Sequence, residues 1–163
     1  MSRGQKRLVT GGLLLITVGL MFGLVYGWLV EHGTLLVLKE SYGAALRAAA
    51  AGDAAEMRSG AQAGQEANYR LVRAVDVHTH IIKMGTVVLL AGLLWPLLGS
   101  AKKTSVAFGL MGGAVVFPLG VFLEIYMRSM AAQAVAAMGA VAAILSFSDF
   151  CRRLFSSAQD SSK

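Results

Sequence analysis

The sequence has few cysteines and few charged residues, and both features limit the class of protein to which the chain can belong. Its 163 residues include one cysteine, Cys151, so an internal disulfide framework is excluded. Charged residues make up 15% of the chain, whereas soluble domains average about a quarter. The chain also lacks a nucleophile elbow, a P-loop, a dinucleotide fingerprint, HExxH and CxxC, so none of these enzyme signatures assigns a reaction.

What the chain has instead is long apolar runs. Hydrophobic residues make up 56% of it, and its mean hydropathy is +0.62. A helix needs about 20 apolar residues to cross a bilayer, and four stretches are long enough: residues 8–30, 81–99, 104–127 and 130–150. Nothing alternates as barrel strands do. The sequence predicts an all-α membrane protein of four transmembrane helices that form a single domain over residues 1–163.

The basic residues predict the orientation. They flank the apolar runs at three places, which four crossings bring to one side: Arg3, Lys6 and Arg7; Lys102 and Lys103; Arg152 and Arg153. By the positive-inside rule this side is cytoplasmic. We therefore expect a multi-pass protein of the bacterial inner membrane with both termini cytoplasmic. The first run is too long for a signal-peptide core and is predicted to be retained. The net charge is +6, but the lysines and arginines lie beside apolar runs rather than along one solvated face, which argues against nucleic acid as a partner.

The connection over residues 31–78 is rich in alanine, a strong helix former. Gly52 and Asp53 interrupt it, and Asp53 with Glu56 fits a capping box. One interpretation is an extracytoplasmic helical hairpin that extends spans one and two; the other is a flexible Ala/Gly linker. In the hairpin, the expected packing faces are Leu38, Tyr42, Ala45 and Ala49 against Ala63, Ala67, Arg70 and Ala74. Trp28 and Trp95 are expected at the membrane boundaries, as aromatic belts predict.

The candidate chemistry lies at the outer side. The chain has three histidines: His32 at the outer end of span one, and His78 and His80 at the outer start of span two. Glu124 is predicted about one turn below the outer end of span three. Ionisable residues within or bordering a membrane are costly and often mark function. The alternative is that each histidine is merely amphipathic in the headgroup layer, and that Glu124 pairs with Arg128 rather than contacting a proton or a quinone.

The spacing allows a haem site. His78 and His80 point about 200° apart on a helix, whereas Asp76 lies four residues before His80, where its carboxylate can fix the imidazole. An opposing imidazole from His32 completes the pair that a b-type haem requires. Gly33 and Gly85 would leave room for the macrocycle, and Arg73, Arg70 or Lys83 would meet the propionates. A copper or zinc site of His32, His78, His80 and Glu124 is the second option, provided that the helix starts after His80.

Two stretches resemble a known family. VEHGTLLVL (residues 30–38) resembles the His-Gly-Thr stretch that carries a low-spin haem ligand in subunit I of haem-copper oxidases. DVHTHIIKMG (residues 76–85) resembles the His-x-His helix of that family, and also the His-Thr-His of small bacterial four-span membrane proteins. The resemblance implies that His32 and His80 are the low-spin haem pair. Since no further histidines exist to hold copper, oxygen reduction by this chain alone is excluded.

Three functions follow as expectations. The first is a small b-type haem protein that carries electrons between quinol and an extracytoplasmic acceptor, as a subunit of a larger respiratory or redox complex. Its partners would be the lipid bilayer, membrane or periplasmic redox proteins and a quinone. The second is a non-catalytic accessory or assembly subunit that docks through its outer hairpin. The third is a copper- or zinc-binding membrane protein. Whether the chain is an enzyme is left open.

Overall fold

The computed structural model describes residues 1–101 and 104–160, and 95% of the structure is helix, with no strand among these residues. The Lys102 and Lys103 pair used for the orientation lies outside the described residues. A π-helical turn, Gly27–Glu31, and a 3-10 segment, Trp95–Ala101, interrupt the α-helices. The α-helices are α1 (Arg3–Tyr26), α2 (His32–Ala50), α3 (Ala54–Leu94), α4 (Thr104–Met127) and α5 (Met130–Asp160).

Four helical stretches are long and apolar enough to cross a membrane, which confirms that part of the prediction. Their bounds are Arg3–Ala50, Ala54–Leu98, Thr104–Met127 and Met130–Ser157. Their most apolar windows have mean hydropathies of 2.3, 2.0, 2.2 and 1.8. The first two stretches have 48 and 45 residues, about twice what a bilayer crossing needs. Each of them therefore carries more helix than one span uses.

The internal contacts divide the chain into two compact units. The membrane unit comprises Met1–Leu20 and Val77–Lys163, and the hairpin unit comprises Met21–Asp76. Each is described here by itself.

The core of the membrane unit gathers residues from four helical stretches. Trp95 and Phe150 stack at its centre, with ring centroids 6.4 Å apart. Trp95 is only 2% exposed, so its indole fills the core of this unit; its position at a membrane boundary stays a prediction. The other buried members of this cluster are Leu8, Val88, Ala91, Leu98, Val106, Ala107, Leu110 and Ala114.

Glycines bring the membrane helices into backbone contact. A Cβ added at Gly113 would strike the backbone nitrogen of Ala143, and one added at Gly120 would strike that of Ala136. Gly139 of α5 lies in the same way against the backbone of Phe117 on α4. Lipid tails are as apolar as the side chains, so close van der Waals contact between small residues is what holds such helices together. The α4–α5 pair is therefore packed along its length through glycine.

The hairpin unit is a helix–turn–helix. Gly52 adopts a left-handed φ of 75°, and the amides of Gly52 and Asp53 donate to the carbonyls of Ala49 and Ala48, which closes α2 in the way that a glycine after a helix end does. Asp53 Oδ1 then accepts from the amides of Ala55 and Glu56, both at 3.0 Å. The predicted Asp53 cap is confirmed, and the connection is helical rather than a flexible linker.

Small residues also form the seam of this hairpin. A Cβ at Gly60 would lie 2.9 Å from the backbone of both Ala45 and Ser41, and one at Gly64 would lie 2.8 Å from the Tyr42 ring. Ala45, Ala67 and Ala74 are buried as expected. Four members of the predicted faces are exposed instead: Tyr42, Ala49, Ala63 and Arg70. Ala48 is buried in place of Ala49, and the side chain of Arg70 is 63% exposed and bound to Glu66.

Gly112 and Gly113 provide a matched test of the α4–α5 contact, because a Cβ at Gly112 meets nothing within 4 Å. We expect Gly113→Ala to destabilise the protein by about 1–3 kcal/mol, since the helices must separate to admit the methyl group. Gly112→Ala leaves stability unchanged or slightly raised, because alanine is the better helix former. The measurement is the thermal unfolding midpoint in detergent. Equal midpoints for the two variants would contradict the packing described here.

Candidate functional site

His80 belongs to the membrane unit and packs against α4. Its side chain is half-buried on α3, and its ring centroid lies 4.7 Å from that of Phe117, tilted by 55°. Such tilted ring pairs are favourable beyond the area that they bury. The imidazole is thus held at a contact between two membrane helices.

His78 cannot share the direction of His80. Helix α3 begins at Ala54, well before both histidines, so the two side chains point about 200° apart. The condition that favoured a copper or zinc site, a helix that starts after His80, is not met. Within residues 1–101 and 104–160, no group of three or more His, Cys, Asp or Glu side chains is placed to hold a metal ion.

Among the described residues of the membrane unit, Glu124 is the charged residue that is buried. It is 8% exposed and lies seven residues after Phe117 on α4, so the two share a face about two turns apart. The backbone carbonyl of Glu124 accepts a hydrogen bond from the backbone amide of Arg128 at 3.3 Å. Arg128 follows the last residue of α4 and has a left-handed φ of 43°. A carboxyl group at this depth is costly to retain and is a functional candidate by itself.

His32 belongs to the hairpin unit, where it begins α2 directly after the π-helical turn Gly27–Glu31. Its side chain is exposed, and a Cβ at the neighbouring Gly33 would meet nothing within 4 Å. Single π-turns inside α-helices are rare and frequently occur at functional sites. The sequence does not predict this turn, because no residue in Gly27–Glu31 is typical of a π-helix.

Asp76 and Arg73 partner each other. Arg73 Nη1 donates to Asp76 Oδ2 at 3.4 Å, three residues apart on α3, with both side chains more than a third exposed. The Arg73 guanidinium also lies 5.5 Å from the centre of the Tyr69 ring, close enough for a cation–π contact. The sequence predicts that Asp76 orients His80 and that Arg73 meets a haem propionate. In the structure, these two side chains instead form an ion pair with each other at the surface of the hairpin unit.

Gly85 does not leave room for a macrocycle. A Cβ added there would lie 2.9 Å from both the backbone nitrogen and Cγ1 of Ile16, and 3.0 Å from the carbonyl oxygen of Gly12. The same contact seen from α1 places Gly12 against the backbone of Leu89. The space beside Gly85 is therefore filled by α1, and this glycine serves helix packing.

Comparison of the chain with models of protein families, with curated proteins and with solved structures finds no match to any of them.

Proposed function

We propose that this chain is a non-catalytic subunit of a larger membrane complex and that it binds its partner through the hairpin unit. The observation that carries the proposal is the composition of the hairpin seam. The residues buried in the contact between α2 and α3 are mostly alanine and glycine, whereas several larger apolar side chains are exposed. Leu46 is 73% exposed, Val72 49% and Val75 48%. Exposed apolar residues on a rigid element are typical of a surface that a partner covers.

A second proposal concerns the topology, which decides on which side of the membrane the hairpin unit meets its partner. Basic residues lie at the N-terminal end of the first span and at the C-terminal end of the last: Arg3, Lys6 and Arg7, and Arg152 and Arg153. The positive-inside rule therefore supports an inner-membrane protein with both termini cytoplasmic and the hairpin unit outside. Its partners would be membrane or periplasmic proteins, redox proteins among them.

A second candidate function is the b-type haem protein, with His80 of the membrane unit as an axial ligand. The placement of His80 favours it, because an imidazole held against Phe117 in a membrane helix is costly unless it is used. Iron held by two histidines is a common electron carrier, and the axial ligands tune its potential. Quinol and an extracytoplasmic acceptor are the redox partners that this function requires. Copper or zinc in place of haem would give the same dependence on histidine.

The docking proposal predicts that the complex depends on the hairpin and not on the histidines. We expect Leu46→Glu to shift the protein from a high-mass band to a low-mass band on native gels of mild-detergent extracts, since a buried carboxylate at the contact is costly. Deletion of residues 40–73 has the same effect. The matched control is Gln62→Glu, which adds the same charge at an exposed polar position of α3. The triple variant His32→Ala/His78→Ala/His80→Ala keeps the high-mass band. A complex that survives both Leu46→Glu and the deletion contradicts the proposal.

The haem candidate is tested by one absorption spectrum. Protein purified in detergent from haem-replete cells would show a Soret band that His80→Ala removes. His78→Ala is the control, because this residue lies on the same helix and points the other way; it retains the band. Colourless wild-type protein rejects haem, and elemental analysis of the same sample tests copper and zinc.

The topology is tested by thiol labelling. Cys151→Ser removes the one cysteine of the chain, after which Ala51→Cys, in the exposed turn of the hairpin, and Ser156→Cys, near the end of α5, report on one side each. A membrane-impermeant maleimide should label Ala51→Cys in intact spheroplasts, whereas Ser156→Cys should react only after lysis. The reverse pattern would invert the orientation, and labelling of both before lysis would contradict the count of crossings.

A further inference from the structure

A groove opens between the first turns of α1 and the first turns of α4, entirely within the membrane unit. It encloses about 490 Å³, a size typical of small-molecule sites. On α1 it is lined by Lys6, Arg7, Thr10 and Gly11, and on α4 by Phe108 and Met111. None of the proposed functions uses these residues.

One end of the groove is cationic. Lys6 and Arg7 are both exposed, and the guanidinium carbon of Arg7 lies 4.9 Å from the centre of the Phe108 ring. This cation–π contact orients a planar group whose donors suit the two oxygens of a phosphate. Thr10 adds a hydroxyl about one turn further along α1. No acidic side chain is among the described residues that line the groove.

The other end is apolar and shallow. Gly11 has no side chain, and Met111 Sδ occupies the space 2.6 Å from where its Cβ would be. Methionine adapts its shape to what lies beside it. The Phe108 ring is 59% exposed and forms a wall of the groove. A ligand that fits must therefore combine an anionic head with an apolar chain.

We propose that this groove binds one anionic glycerophospholipid, of the phosphatidylglycerol class. The phosphate lies against Lys6 and Arg7, the Thr10 hydroxyl donates to an oxygen of the head, and one acyl chain runs over Gly11 and Met111 along Phe108. Basic pockets between membrane helices bind anionic lipid heads for this reason. The site does not depend on the partner, on haem or on the orientation of the chain.

Native mass spectrometry of the full-length protein in detergent tests the proposal by titration with phosphatidylglycerol. One cation near a lipid surface contributes enough for about a fivefold change in affinity. We expect the Kd for phosphatidylglycerol to rise about fivefold in each of the single variants Lys6→Gln and Arg7→Gln. Arg152→Gln is the control: it removes one charge from an arginine that is 77% exposed and already bound to Asp149 at 2.6 Å. Kd for this variant should stay within about twofold of wild type, because Arg152 does not line the groove and its exposed charge is already paired and screened.

Two further arms identify the ligand class. Phosphatidylcholine with the same acyl chains should bind more weakly than phosphatidylglycerol to the wild-type protein, and the double variant Lys6→Gln/Arg7→Gln should abolish that difference. Inorganic phosphate has the charge but no chain, so it should not displace the lipid. Displacement by phosphate would establish a plain anion site and overturn the proposal. Equal losses in Arg7→Gln and Arg152→Gln, or equal binding of the two lipids to the wild type, would overturn it as well.

Discussion

Direct contact between helix backbones, made possible by glycine, is the interaction on which the membrane unit depends. Apolar side chains gain little by leaving lipid for protein, so the helices are held by van der Waals contact at short range. Gly113 and Gly120 admit α5 to α4, and Gly12 and Gly85 admit α1 to α3. The same contacts exclude any bulky group from those places, which is why the expected space for a macrocycle beside Gly85 is absent.

In the hairpin unit, too, glycine allows two helices to approach closely, and here large apolar side chains remain exposed. Gly60 and Gly64 let α2 and α3 meet through Ala45 and the Tyr42 ring, and the buried residues of this seam are otherwise small, with Ala45, Ala48 and Ala67 among them. Leu46, the most exposed apolar residue of α2 at 73%, is left on the outside. The small residues of the seam thus leave large apolar side chains of the hairpin exposed, and the docking proposal rests on this exposure.

Composition alone was sufficient to predict the helical spans, because nothing but a membrane crossing needs so many consecutive apolar residues. Asp53 was identifiable as a cap, since its side chain acts locally. Helix register was harder: alanines occupy several faces of the hairpin at once, so Ala48 rather than Ala49 turned inward. The pairing of Asp76 with Arg73 was also missed, because the i, i+4 relation to His80 and the i, i−3 relation to Arg73 are equally available on a helix. The π-turn before His32 leaves no compositional trace.

Every proposal above rests on how the helices pack, so the contact between α4 and α5 is the point to measure. Nuclear Overhauser spectra of the protein in nanodiscs, with glycine and alanine selectively labelled, report it directly. Backbone contact predicts a cross-peak between the Gly120 Hα protons and the amide proton of Ala136. Helices held apart by side chains at the usual 8–10 Å axis separation would give no such cross-peak, and its absence would contradict the account.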